Sequence, residues 1–130
     1  GAGGAGSAIA HSLVMAGVSE LVIYDESATR LATLVERLNG LQGVPVRAGA
    51  ADPTGFDMAL SSTPIGIKDT DPMPMDASKF TPHMHVGCVI TAPAITPMIA
   101  AARALGCTTQ TGADMFGKVR DLMVTFLLGE

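Results

Sequence analysis

The chain opens Gly1-Ala2-Gly3-Gly4-Ala5-Gly6, with glycines at positions 1, 3 and 6 just ahead of a helical pattern. This spacing has a specific chemical use. The first glycine permits a tight turn, the second lets the backbone approach a pyrophosphate, and the third lets the following helix pack closely. A helix starting near residues 4–7 would aim unpaired N–H groups, those of Gly4 and Ala5 among them, and its positive end at the phosphates. Ser7 would add a hydroxyl. Asp25 stands nineteen positions after Gly6, at the end of the next apolar run. An acidic side chain at about that distance accepts hydrogen bonds from the ribose hydroxyls of a dinucleotide. Its charge would repel a 2′-phosphate, so NAD is expected ahead of NADP, and Glu26 adds to that sign. Arg30 argues the other way, since it could reach such a phosphate from the next helical turn. It reads equally well as a solvated charge on a helix face.

These residues need elements to hold them. Residues 7–16 read as a helix with Ile9, Leu13 and Ala16 at helical spacing, stopped by Gly17. Leu21-Val22-Ile23-Tyr24 is a continuous apolar run that suits a strand buried in a parallel sheet. Ser27 is a plausible N-cap for a helix striped by Leu31, Leu34, Val35 and Leu38, ending at Asn39-Gly40. Residues 44–48 form a weak strand that Pro45 confines to an edge. Residues 57–61 are another strand, and residues 63–82, with four prolines, an ordered loop with a turn near residues 77–80. A strand over 86–90 follows, then Thr96-Pro97 as a helix start closed by Gly106. A short strand over 107–110 leads at Gly112 into a last helix with Met115, Val119, Leu122 and Phe126 along one face.

This alternation predicts an α/β fold, a Rossmann-like doubly wound and mostly parallel sheet. A glycine loop of this kind follows a strand, and none precedes Gly1. The first strand, at the centre of the sheet, is expected upstream, and residues 1–130 read as a dinucleotide-binding domain that lacks it. Alone, such a chain would be molten or would self-associate through unpaired strand edges, a homodimer being one such assembly.

The chain's 130 residues fit one domain, and 48% apolar with 15% charged residues excludes disorder. No apolar run approaches the ~20 residues of a membrane span, and no signal peptide is visible. A net charge of −4 gives no electrostatic footprint for nucleic acid or an anionic membrane. Cys88 and Cys107 make no disulfide framework and fit reduced thiols of a cytoplasmic protein. His83 and His85 share a strand face with Cys88 on the other, and no further ligand completes a set, so no metal site is expected. Cys107 reads as a small buried hydrophobe, His11 and Lys68 as surface residues, and Met73, Met75 and Met84 as packing.

Several further blocks occur in a telling order: Ser61-Ser62-Thr63-Pro64-Ile65-Gly66-Ile67, Asp71-Pro72-Met73-Pro74, Thr96-Pro97-Met98 and Ala101-Ala102-Arg103-Ala104-Leu105-Gly106-Cys107. With the glycine loop, they resemble the cofactor domain of the shikimate/quinate dehydrogenase family over nearly the whole chain. The resemblance implies hydride transfer between a nicotinamide cofactor and a dehydroshikimate-like cyclic hydroxy acid. It implies that Thr63 and Pro64 line the adenosine side of the groove and that Gly112 and Met115 lie against the nicotinamide. It places the family's catalytic lysine and aspartate in an N-terminal substrate domain outside these residues, so the 130-residue chain by itself is expected to be inactive.

The departures matter as much. The family's adenine-phosphate motif Asn-Arg-Thr is replaced by Asp25-Glu26-Ser27, which again favours NAD. A substrate-side tyrosine is replaced by Thr91 and an expected glutamine by Val119, so the substrate is altered or the branch is divergent. Two other functions share the loop: a non-catalytic NAD-binding regulatory module, and a methyltransferase using S-adenosylmethionine. The blocks at Thr63-Pro64 and at residues 112–115 argue against the methyltransferase.

Overall fold

The computed structural model describes residues 1–129. Their order is α1 (Gly4–Met15), β1 (Leu21–Ile23), α2 (Ala28–Leu38), β2 (Val46–Ala48), β3 (Met58–Ser61), β4 (His85–Cys88), α3 (Pro97–Ala104), β5 (Thr108–Gln110) and α4 (Gly112–Leu128). Single 3₁₀ turns stand at Leu41–Gly43 and Ala77–Lys79. The expected alternation of helices and strands is present, with strand ends shifted by one or two residues. The chain divides into two compact units. One is Gly1–Asp52 with Ser61–Thr63; the other is Pro53–Leu60 with the residues from Pro64 on.

In the first unit β1 and β2 pair in parallel, Leu21 opposite Val46 and Ile23 opposite Ala48. Pro45, just before β2, has no N–H to give, but its carbonyl accepts from Leu21 N–H at 3.0 Å. Ser27 caps α2 through its hydroxyl, as expected. At the other end of α2 the Asn39 side-chain oxygen accepts from Val46 N–H at 3.0 Å and ties the helix exit to β2. Leu34 and Leu38 bury their side chains, and Leu31 and Val35 pack at the edge of the same core.

The inward face of α1 differs from the expectation. Gly6, Ala10 and Val14 are buried, while Ile9 and Leu13 are half-buried and Ala16 is exposed. The reason is geometric. A Cβ on Gly6 would collide with the Gly1 carbonyl oxygen, so the face carrying Gly6 is the one that approaches the loop. The i, i+4 rule then brings Ala10 and Val14 inward with it.

In the second unit the strand order is β3-β4-β5, with β4 and β5 parallel. Its core comprises Phe80, Met84, Val86, Cys88, Ile90, Met98, Ile99 and Ala102, with Ala59 and Cys107. Met84 and Met75 pack as expected, but Met73 is exposed. The Thr96 hydroxyl caps α3 and Pro97 occupies its first turn. Asp71 organises the proline-rich loop: one carboxylate oxygen accepts from Gly66 N–H at 3.0 Å and Lys68 N–H at 3.1 Å.

Helix α4 starts with a reciprocal capping box between Thr111 and Asp114. Gly112 is the buried residue of this helix. The expected apolar face does not become core: Val119 is 47% exposed, Leu122 61% and Phe126 85%. Residues 118–129 are all exposed. The helix is oriented by its first turn, where Gly112 sits against the Ile90 carbonyl, and among the described residues its later turns have no cover.

The two glycines of α4 allow opposite expectations. A Cβ on Gly112 would collide with the Ile90 carbonyl, whereas one on Gly117 meets nothing within 4 Å. In the intact protein Gly112→Ala should destabilise by about 1–3 kcal/mol through overpacking. Gly117→Ala should stabilise by about 0.5–1 kcal/mol through helix propensity. Urea midpoints at constant m-value measure both; two effects of the same sign would contradict this account of α4.

Candidate nucleotide site

The glycine loop lies wholly in the first unit, and a single peptide group organises it. The N–H of Ala2 donates to Asp25 Oδ2 at 2.7 Å. The carbonyl of Gly1, on the same peptide plane, accepts from the Ser62 hydroxyl at 3.2 Å. One residue on, the Ala2 carbonyl accepts from the Ser7 hydroxyl at 3.3 Å. The loop is thus fixed by the end of β1, by the residue after β3 and by the first turn of α1.

Its glycines divide by surroundings. A Cβ on Gly1 or Gly6 would stand 2.6 Å from the Ser62 Oγ, so neither has room for a side chain. Around Gly3 and Gly4 a Cβ would meet nothing within 4 Å. The first pair is small for packing, and the second leaves open space beside the helix start. Helix α1 has Gly3 as N-cap, no side-chain cap and no acidic residue in its first turn. Its first N–H groups thus have neither a side-chain cap nor an acidic residue within the first turn, which is the chemistry of an anion site. Gly4 and Ala5 are exposed there.

Asp25 is more occupied than the sequence implied. Besides Ala2, its Oδ1 accepts from Ser27 N–H at 2.7 Å and from the Arg30 guanidinium at 3.1 Å. The two backbone N–H groups hold its pKa down at about 2, and Arg30 adds to the effect. Its side chain is only 7% exposed, while that of Arg30 is 56% exposed. Ser27 therefore both caps α2 and donates its own N–H to Asp25.

The second unit holds the other expected residues. Gly112 is packed beneath the carbonyls of Val89 and Ile90, which brings the start of α4 to the segment that ends β4. Thr91, the next residue, is exposed. Met115 is half-buried and Val119 exposed, one and two turns along α4. Pro64 is exposed at the start of the proline-rich loop. Thr63 belongs to the first unit, where its hydroxyl lies 3.0 Å from that of the buried Ser61. His85 Nδ1 is 2.9 Å from the Thr108 hydroxyl, and His83 lies against the Thr81 hydroxyl. Among the described residues no three histidine, cysteine or acidic side chains gather at one point.

Sequence reasoning passed over Ser62, Asp71 and the Thr111–Asp114 pair. The capping box was readable from its Thr-x-x-Asp spacing. Ser62 bonds across sixty-one residues, a partnership that no local pattern signals.

Compared with known proteins, the chain is similar to a quinate/shikimate dehydrogenase (NAD(+)) of Corynebacterium efficiens, 35% identical over 88% of this chain and 43% of the relative. It is 36% identical to a shikimate dehydrogenase (NADP(+)) of Streptomyces avermitilis, over 88% of this chain and 42% of that protein. Among solved structures it resembles the ligand-free 5-ketofructose reductase of Gluconobacter sp. strain CHM43. That likeness has a TM-score of 0.87 and 31% identity, over 100% of this chain and 49% of that one. The fold is Rossmann-like. The chain spans less than half the length of the curated relatives it matches. No protein-family profile matches it.

The clasp at Asp25 has a pH signature. Its depressed pKa contributes stability above its ordinary value near 3.8, and this is lost as pH falls towards about 2. In the intact protein Asp25→Asn should cost about 2 kcal/mol at neutral pH and only about 0.4 kcal/mol near pH 2. Urea unfolding at several pH values measures the convergence; parallel curves would show that the carboxylate does not hold the loop.

Proposed function

Because the chain matches the C-terminal, cofactor-binding part of shikimate and quinate dehydrogenases, we propose that it is the nucleotide-holding half of an NAD-preferring oxidoreductase of that type. The intact protein would transfer a hydride between the nicotinamide and a cyclic hydroxy acid. The observation that carries this is the loop itself: a fixed Gly1–Ala2 peptide, open space over Gly3 and Gly4, and an uncapped start of α1.

The residues fit a dinucleotide. The N–H groups at Gly3, Gly4 and Ala5 would bind the pyrophosphate, with Gly1 and Gly6 as packing glycines and Ser7 fixing the loop from within. Asp25 carries the negative charge near the ribose that disfavours a 2′-phosphate. Thr63 and Pro64 would line the adenosine side, and Gly112 and Met115 the nicotinamide side. Bound dinucleotide supplies the hydride acceptor or donor. Thr91 and Val119 would face substrate, and by resemblance the acid/base lysine and aspartate belong to the other half of the protein. The 130 residues alone would then bind and orient without turning over.

A second reading concerns substrate. About half of the 5-ketofructose reductase, 49% of its chain, matches the whole of this chain, and Thr91 and Val119 depart from the tyrosine and glutamine of the shikimate pattern. A keto sugar in place of a ring carboxylic acid fits those departures.

Titration of the intact protein with NAD, NADP and S-adenosylmethionine tests the cofactor. NAD should bind about 10-fold or more tighter than NADP, a difference of at least about 1.4 kcal/mol, and S-adenosylmethionine not at all. Turnover of shikimate or quinate with NAD supports the first substrate reading, and turnover of 5-ketofructose alone the second. NAD binding with no turnover of any of the three would favour a regulatory module, and equal binding of NAD and NADP would refute the preference.

A further inference from the structure

The acceptor capacity of Asp25 leads to a role for Arg30. A carboxylate offers about four lone-pair positions. On Oδ1 both are taken, by Ser27 N–H and by the Arg30 guanidinium; on Oδ2 one is taken, by Ala2 N–H. The two backbone donors are built into the loop and the α2 cap and cannot leave without local unfolding. The guanidinium can: it hangs from a side chain that is 56% exposed, and an exposed ion pair is held only weakly. A ribose offers two adjacent hydroxyls, and Asp25 has one free position while Arg30 is in place.

We propose that Arg30 tunes nucleotide affinity by occupying Asp25, so that a ribose engages the carboxylate with both hydroxyls only after the guanidinium has swung away. This rests on the reading of the loop as a dinucleotide site. It reverses the usual expectation for a cation beside an anionic ligand. Removing Arg30 strengthens binding of NAD, because the gain of one acceptor outweighs the lost long-range attraction. The magnitudes support that sign. One hydrogen bond to the freed oxygen is worth about a 2- to 10-fold change in affinity. The competing attraction of the exposed guanidinium for a pyrophosphate is weakened by solvent and by salt.

The test uses the intact protein in about 0.15 M salt. NADH binding is read by nucleotide fluorescence and NAD by competition, for the wild type, Arg30→Met and Arg30→Ala. Methionine keeps the apolar stem and removes the donors, and thermal melts without nucleotide report whether each variant is folded. The expected result is about 2- to 10-fold tighter NAD binding in both variants, with the gain shrinking as salt loosens the wild-type pair. Equal or weaker NAD binding by folded variants overturns the role of Arg30 and leaves the nucleotide site standing. Failure of the folded wild type to bind any nucleotide overturns both. The conservative Arg30→Lys should fall between, since its ammonium can still reach the carboxylate but without the planar fork.

Discussion

The Gly1–Ala2 peptide is held at both ends, its N–H by Asp25 and its carbonyl by Ser62, and much of the first unit follows from that restraint. Fixing this plane sets where the chain enters α1. It places the Gly1 carbonyl where only a glycine at position 6 can pass, and this selects the face of α1 that turns inward. It also consumes Asp25 Oδ2 and Ser62 Oγ, so these polar groups serve the protein before any ligand arrives. A loop fixed in advance loses little freedom on binding, and a ligand gains affinity when its site has already met the ordering cost.

Much of this was legible in the sequence where the cause is local. Ser27 and Thr96 cap their helices as their residue types imply, Pro97 sits in a first turn, and Asn39-Gly40 ends α2. The stripe of Leu31, Leu34, Val35 and Leu38 is the inward side of α2 because a 3.6-residue period leaves no other choice. The parallel pairing of β1 with β2, and of β4 with β5, follows from strands that alternate with helices.

The rest was hidden because its causes are distant. The large apolar residues of α1 suggested Ile9, Leu13 and Ala16 as the inward face, yet close approach selects the small ones, Gly6 and Ala10. Hydrophobicity marks what gains by burial; it does not mark where two backbones must nearly touch. In α4 the apolar face of Val119, Leu122 and Phe126 is exposed, and the first turn is fixed by Gly112 against the Ile90 carbonyl. Ser62 had no sequence signal, since a serine hydroxyl bonded to a carbonyl sixty-one residues away has the same local sequence as a surface serine.

Cofactor choice shows how far pattern matching reaches. The curated relatives include one named for NAD(+) at 35% identity and one named for NADP(+) at 36%. Global similarity therefore gives no preference between them, and the decision falls to a few charges near the ribose. On the proposed reading those charges include Asp25 and Arg30, opposite in sign and 3.1 Å apart, with Glu26 next in sequence. The nearly buried carboxylate is committed to the loop by two backbone donors, whereas the exposed guanidinium is free to reorient. On the proposed reading, the fixed carboxylate would set the preference for an unphosphorylated ribose. The exposed guanidinium would adjust the strength of that preference, because its contact with the carboxylate is solvated and weak.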